Sequence, residues 1–207
     1  MLRSVASCFA ALAVGFMLLV LGACTGTSKP SQFYLMYPMA PEAVTASPDT
    51  MPPQIRIGLG PVTIREHLKR PQIVLRAAGS EIKLSEFHRW AESLEENTVQ
   101  VLAQNLMLLL DSEDVYIFPW TNRLKVDYQI ELNVYRFSVD QGQTAELNIR
   151  WTIFRVSDKS VVWNRRTAFT AAVKSDAYDD IVTAYSRLLE DFSRQLADDI
   201  IALYQTE

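Results

Sequence analysis

The side chains that could do acid–base or metal chemistry are few in this sequence and are not spaced for it. Only two histidines occur, His67 and His88, and neither lies at metal-ligand spacing from the other or from a pair of carboxylates. Ser85 and Glu86 are close to His88 but form no nucleophile elbow and no triad signature with it. We therefore expect no enzymatic activity, no metal and no cofactor, and we expect His88 to be a hydrogen-bonded structural residue beside Trp90.

The thiol of Cys24 has the clearest chemical assignment. It ends the run Leu21-Gly22-Ala23-Cys24, which follows an apolar stretch preceded by a single charge, Arg3. A positive start, a short apolar centre and small residues before a cleavage point are typical of an export signal. The four residues resemble the lipobox of bacterial lipoproteins, which implies cleavage after residue 23, a diacylglyceryl group on the Cys24 sulfur and an acylated amine. An ordinary signal peptide that contains a cysteine, or a single-span anchor, is the alternative.

Such an anchor would fix where the protein works. Two or more acyl chains make attachment stable, because each buried methylene contributes about 0.8 kcal/mol. Thr25, and not Asp, follows the cysteine, and by resemblance to Gram-negative lipoproteins this implies sorting to the outer membrane with the folded part facing the periplasm. The predicted organisation is a lipoprotein signal peptide over 1–23, the lipidated Cys and a polar spacer over 24–31, and one periplasmic domain over 32–207.

Charge and composition exclude several functions. The chain has 20 Lys and Arg against 24 Asp and Glu, and cleavage would remove only Arg3, so we expect no binding to nucleic acid. Cys8 would leave with the signal and Cys24 would carry lipid, so no thiol remains for a disulfide. The run Gly58-Leu59-Gly60 is followed by Pro61 and has no lysine at P-loop distance, so it is not a nucleotide cradle.

The hydrophobic pattern predicts an α+β fold with two layers, in which a mostly antiparallel sheet ends in a C-terminal β-meander and carries two long helices on one face. Alternating runs predict strands over 33–37, 55–59, 72–76, 81–84, 115–118, 124–139, 145–153 and 161–171. The parity of the alternation changes near Val134-Tyr135, which predicts a β-bulge. Apolar residues at helical spacing predict one helix that Ser85 to Glu92 lead into and that runs to Leu110, and another from Tyr178 to Leu203. Aromatic residues on the strands are expected to be core and not a lipid pocket: Tyr128, Trp151, Trp163 and Phe169.

Three motifs together resemble a known family. They are Gly60-Pro61-Val62, the run from Leu68 to Arg76 that contains Arg-Pro-Gln-Ile-Val, and the run Phe-His-Arg-Trp-Ala-Glu-Ser-Leu from Phe87 to Leu94. In this combination they resemble the PqiC/YmbA-type auxiliary lipoproteins of ABC-type and MCE transport systems, over nearly all of the chain after Cys24. Lys69 and Ser93 depart from the family, which usually has Asp and Pro at these positions.

The resemblance implies a non-enzymatic outer-membrane lipoprotein that meets the periplasm-spanning MCE tube and helps to carry lipids or to keep the outer membrane intact. The implied partners are an MCE-domain periplasmic protein with its membrane permease, and outer-membrane lipid through the acyl anchor. A ring-like homo-oligomer would suit docking on such a tube. The alternative is a lipoprotein that activates or assembles another envelope complex, such as a cell-wall synthase or an outer-membrane barrel. A tethered hydrolase is disfavoured because the sequence lacks a catalytic constellation.

A cluster of basic and aromatic residues predicts where a partner would bind. Five basic residues (Arg65, Lys69, Arg70, Arg76 and Arg89) and two aromatic ones lie close together in an otherwise acidic chain, and Arg, Trp and Tyr are enriched at interface hot spots. A solvated basic edge is the alternative interpretation. The predicted contact residues are Arg70, Pro71, Gln72, Arg76, Phe87, His88, Arg89 and Trp90.

Overall fold

The alternating runs of the sequence form an eight-stranded sheet in the computed structural model, which describes residues 29–43, 55–77, 81–121, 123–140 and 144–205. The strands within these ranges are β1 (Gln32–Tyr34), β2 (Ile57–Ile64), β3 (Gln72–Arg76), β4 (Ile82–Trp90), β5 (Val115–Ile117), β6 (Tyr128–Asp140), β7 (Thr144–Arg155) and β8 (Val161–Ala172). The helices are α1 (Leu94–Leu109) and α2 (Tyr178–Gln205), with single 3-10 turns at Pro41–Ala43 and Glu66–Leu68. The predicted signal peptide, Cys24 and most of the spacer lie outside the described residues.

Strands β6, β7 and β8 form the predicted antiparallel meander. Tyr135 is an extra residue in β6, between the pairs Val134↔Ile149 and Arg136↔Asn148, so the predicted bulge is confirmed. The bulge restores the alternation and keeps Phe137 on the buried face with Val134. The aromatic residues of the strands belong to the core or pack against it, as expected: Trp151, Tyr128, Trp163 and Phe169.

Strand β6 joins the meander to the rest of the sheet. Along the edge that faces away from β7, β6 pairs in parallel first with β2, ending at Ile64↔Val134, and then with β3, starting at Leu75↔Val139. β5 pairs with β2, while β4 and then β1 extend the sheet beyond β3. The three longest strands are antiparallel, as predicted, whereas the parallel pairings join segments that are distant in sequence and leave no local signal.

The two helices cover one face of the sheet, as predicted. α1 contacts β2 and β5, α2 contacts β7 and β8, and the helices contact each other. α1 begins with a capping box, in which the Ser93 hydroxyl accepts a hydrogen bond from the Glu96 amide (3.1 Å) and donates one to the Glu96 carboxylate (2.8 Å). Neither helix is long and apolar enough to cross a membrane, and the same holds for every helix in the described ranges.

The predicted entry to the first helix is wrong. Ser85 to Trp90 were expected to lead into α1, but they extend β4, and the helix begins only at Leu94. The last three residues of β4 pair in parallel with β1, and the Ala91 amide donates to the Tyr34 carbonyl at 2.9 Å. Pairing with β1, which is distant in sequence, satisfies backbone groups at the end of β4. This segment therefore forms a strand although its local pattern predicts the entry to a helix.

The chain that follows β1 forms a strap, Leu35–Met39, that α1 holds through two buried asparagines. The Asn97 side-chain oxygen accepts from the Met36 amide (2.7 Å), and the Asn105 oxygen accepts from the Met39 amide (2.8 Å). Met36 and Met39 are buried, so Leu35 and Tyr37 face outward. The strap therefore covers core residues with one side and presents apolar residues with the other.

Candidate partner-binding surface

The sheet face opposite the helices brings several predicted contact residues together. Cross-strand partners lie on the same face of a sheet, so the pairs Gln72↔Arg89 and Phe33↔Arg89 place three side chains side by side. Phe87 lies two residues before Arg89 on β4. The phenyl groups of Phe33 and Phe87 are 64% and 40% exposed. We call Phe33, Gln72, Phe87 and Arg89 the open-face row.

Arg70 and Pro71 flank the open-face row at the start of β3. Both are exposed, and the Pro71 carbonyl accepts the Trp90 amide hydrogen at 2.7 Å. The Arg89 Nε donates to the Glu86 carbonyl at 3.3 Å, which holds its guanidinium over β4. The predicted motifs Arg-Pro-Gln and Phe-His-Arg-Trp thus meet at one end of the sheet.

Trp90 points to the other side, into the core. It is 5% exposed and packs edge-to-face on Tyr185 of α2, with ring centroids 5.6 Å apart. Tyr185 packs in turn on Phe137 at 4.6 Å, and its burial raises the pKa of its phenol. The Trp90 side chain therefore lies beneath the surface, where it supports β4 and does not reach a partner.

His88 also faces the helix layer, and it is hydrogen-bonded, as expected. Its ring stacks on Tyr178 at 3.7 Å and its Nδ1 lies 2.8 Å from the Tyr34 hydroxyl. That hydroxyl donates to the Gln32 side-chain oxygen, so it accepts from His88 when Nδ1 carries the proton. Burial, together with the charge of Asp179, raises the pKa of Tyr34. His88 thus joins β1, β4 and the first turn of α2.

Arg76 lies apart from the open-face row. It occupies the far end of β3, where its Nε is 3.7 Å from the Asp140 carboxylate. It lines a cleft between β2 and β3 together with Arg136 of β6. The eight predicted residues are therefore divided between the open-face row with its flank, the core and this cleft.

The glycines of β2 have a packing role. A Cβ on Gly58 would come within 2.4 Å of the Trp120 ring, so the indole occupies the space that a bound phosphate would need. Gly60 has a φ of +115°, which favours glycine. No group of three or more His, Cys, Asp or Glu side chains in the described part of the chain could hold a metal ion.

A buried carboxylate that was not among the predicted site residues, Asp199, connects α2 to the meander through hydrogen bonds. Asp199 is 3% exposed and accepts hydrogen bonds from two indoles, a guanidinium and an amide: Trp151 (3.0 Å), Trp163 (2.8 Å), Arg165 (2.9 Å) and Gln195 (3.1 Å). Its signal in the sequence is an acidic residue inside the apolar stripe, directly before Ile200. The analysis also missed Phe33, because the pairing of β1 with β4 is not visible in the sequence.

The fold and this surface define a class of protein: a small α+β domain whose two helices cover one face of the sheet and whose other face presents exposed aromatic and basic side chains. The chain belongs to the family of ABC-type transport auxiliary lipoprotein components, whose model matches residues 37–197. This match confirms the resemblance carried by the motifs between Gly60 and Leu94. The chain is therefore a member of a family of auxiliary lipoproteins of ABC-type transport.

Solved structures show the same fold at low sequence identity. Protein XCC0632 from Xanthomonas campestris is 17% identical with a TM-score of 0.73, and the match covers 85% of this chain and 98% of that one. An uncharacterized protein is 15% identical with a TM-score of 0.67, covering 83% and 99%. No curated protein matches the sequence.

Proposed function

We propose that this protein is a non-enzymatic auxiliary subunit of an MCE/ABC-type intermembrane lipid transport system, anchored in the outer membrane through Cys24 and facing the periplasm, where it supports outer-membrane integrity. The observation that carries the proposal is the family match over residues 37–197 downstream of the lipobox-like Leu21-Gly22-Ala23-Cys24. The His88 side chain is hydrogen-bonded to Tyr34 and stacked on Tyr178, which supports a binding function for the protein and not a catalytic one.

The anchor can be tested by the mass of the exported chain. We expect a chain that begins at Cys24 and carries a diacylglyceryl group and an N-acyl group, found in the outer-membrane fraction. The Cys24→Ser variant should lose this added mass and leave the membrane fraction. An unmodified amino terminus on the exported wild-type chain would contradict the anchoring proposal.

The open-face row is the proposed docking surface for the MCE-domain protein. Phe33 and Phe87 are large apolar side chains left exposed on a sheet face, which marks interaction sites. Arg89 lies between them and Arg70 at their flank, so the surface combines aromatic groups with guanidinium groups, as binding hot spots do. Of the predicted residues, Arg70, Pro71, Gln72, Phe87 and Arg89 remain in this proposal.

Affinity capture from detergent-solubilised envelope tests the partner and the surface together. The wild-type chain should capture an MCE-domain protein and its permease, and the pair Arg70→Glu and Arg89→Glu, or Phe87→Ser alone, should lower the captured amount about tenfold or more, as hot-spot changes do. Arg187→Glu, on the exposed side of α2, is the matched control and should capture normally. Capture of a cell-wall synthase or an outer-membrane barrel as the main partner would support the alternative function instead.

A ring-like homo-oligomer is part of the same proposal. β8 pairs only with β7 among the described strands, so its outer edge offers unpaired backbone groups that a second copy can use. Mass measurement of the detergent-solubilised chain counts the subunits. A monomer at all concentrations would remove this part of the proposal and leave the docking surface intact.

A further inference from the structure

The sheet contains a gap along the edge of β6 that faces away from β7, between the pairings with β2 and with β3. β6 leaves β2 after Val134 and meets β3 at Val139, so the residues between them have no strand partner on this side in the described chain. The gap opens into a cleft of about 430 Å³. Its lining residues come from β2's end, β3, β4 and β6: Arg65, His67, Val74, Arg76, Ile82, Tyr135, Arg136, Phe137 and Ser138.

The side chains that line the cleft include three guanidinium groups and one imidazole, and no carboxylate. Two of the guanidinium groups are in ion pairs, Arg76 with Asp140 (3.7 Å) and Arg136 with Glu146 (2.6 Å), and Glu66, next to Arg65 in sequence, is paired with Lys69 (2.6 Å). Arg65 makes no ion pair with any residue that the structure describes. Arg166 adds charge nearby, with its guanidinium carbon 4.4 Å from the centroid of the Tyr135 ring.

A buried hydroxyl in the cleft has no hydrogen-bond partner. Ser138 is 5% exposed, and its Oγ contacts no donor or acceptor among the described residues. Leaving a buried hydroxyl unsatisfied costs about 1–3 kcal/mol, so native structures rarely tolerate it without a ligand or water. Arg65 and Arg136 line the same cleft as Ser138, so an oxygen of a ligand bound there is a candidate acceptor for this hydroxyl.

We propose that this cleft binds a phosphate group. Guanidinium groups match phosphate oxygens in charge and in bidentate geometry, and serine and tyrosine hydroxyls add neutral donors. Ile82 is 45% exposed and adds apolar surface next to the charged groups, which suits a phosphate that carries an apolar substituent. A lipid headgroup and a soluble phosphate ester share this chemistry. The cleft residues are separate from the open-face row, so the inference stands independently of the proposed docking function.

Calorimetric titration of the full acylated chain in dodecyl maltoside tests the site. Inorganic phosphate and glycerol 3-phosphate should bind saturably, more weakly as salt increases, and sodium acetate at equal ionic strength should not. Retention of phosphatidylglycerol in native mass spectrometry would identify a lipid headgroup as the ligand. Binding of the two soluble probes without lipid retention would identify a soluble ester. Equal binding of acetate, or no saturable binding, would overturn the proposal.

Two variants separate a binding role from a structural one. Arg65→Gln should weaken phosphate binding about tenfold or more, because it removes a charged hydrogen bond, while Arg187→Gln on α2 should bind normally. Ser138→Ala should also weaken binding but leave the thermal midpoint in phosphate-free buffer unchanged or higher, since it removes no hydrogen bond of the free protein. Unchanged affinity in both cleft variants would contradict the assignment. Both should still capture the envelope partner, which distinguishes this site from the docking surface.

Discussion

The Asp199 carboxylate accepts hydrogen bonds from the buried indole of Trp151, the half-buried indole of Trp163 and the Arg165 guanidinium, so a single side chain links β7, β8 and α2. Asp199→Ala would leave the Trp151 indole, which is fully buried, without an acceptor. We expect a loss of about 3 kcal/mol or more in the free energy of unfolding, measured by urea denaturation. The neighbouring Asp198 is exposed, and Asp198→Ala should change stability by less than about 0.5 kcal/mol. Equal effects of the two substitutions would contradict this role.

Asp127 gives the protein a defined response to acid. Burial alone would raise the pKa of its carboxyl, but hydrogen bonds from the Arg56 side chain and amide, and the Arg56 charge, together hold that pKa below its usual range. A lowered folded pKa contributes stability that is present above the unfolded value of about 3.9 and lost as pH falls through the folded pKa. Below about pH 4, the wild-type thermal midpoint should therefore decrease more steeply with falling pH than that of Asp127→Asn. Parallel curves for wild type and Asp127→Asn would contradict the assignment.

Orientation of single residues was the least predictable feature of the site. The pattern Phe-His-Arg-Trp shows that aromatic and basic residues alternate, but it does not show which parity faces the helices. β4 turns His88 and Trp90 inward and leaves Phe87 and Arg89 on the open side. The pattern therefore predicted a segment without separating its two faces, because the face that each residue takes depends on the pairing with β1.

At the scale of elements, β2 is shaped by contact with the segment after β5. The Trp120 ring lies against Gly58, and a Cβ at this position would come within 2.4 Å of it. Gly58→Ala should displace the indole, reduce stability by about 1–3 kcal/mol as overpacking does, and shift the tryptophan fluorescence to longer wavelength. Thr63→Ala, at an exposed position of the same strand, should do neither.

A second substitution isolates the cause of this effect. Trp120→Ala removes the ring that collides with the new methyl group, so Gly58→Ala should cost less in that background than in the wild type. A double-mutant cycle measures the coupling directly. Additive effects of the two substitutions would show that the indole and Gly58 do not constrain each other.

Local patterns predicted those elements whose partners are neighbours in sequence. The meander strands, the bulge at Tyr135 and the apolar stripe of α2 follow from periodicity alone, because hairpin connections fix which strands pair. The parallel pairings of β1, β2 and β3 follow from contacts across most of the chain. The end of β4 at Trp90 depends on such a pairing, so the pattern alone placed this segment before a helix.

In the molecule as a whole, the described chain carries two separate candidate surfaces, the open-face row and the cleft. The open-face row combines exposed phenyl groups with Arg89, while the cleft combines guanidinium groups with a buried hydroxyl. The first suits a protein partner and the second suits a phosphate group. These two surfaces contain four of the five clustered basic residues of this acidic sequence. Arg70 and Arg89 lie at the open-face row, and Arg65 and Arg76 line the cleft.

We propose that the open-face row of a lipid-anchored chain contacts an MCE-domain protein. Photocrosslinking in intact cells can detect this contact, with a photoreactive phenylalanine in place of Phe87 and, as the control, in place of Arg187 on α2. We expect a crosslink to an MCE-domain protein from position 87 and none from position 187, and loss of the crosslink when Cys24→Ser removes the anchor. A crosslink from position 187 alone, or one from position 87 to a cell-wall synthase or an outer-membrane barrel, would contradict it.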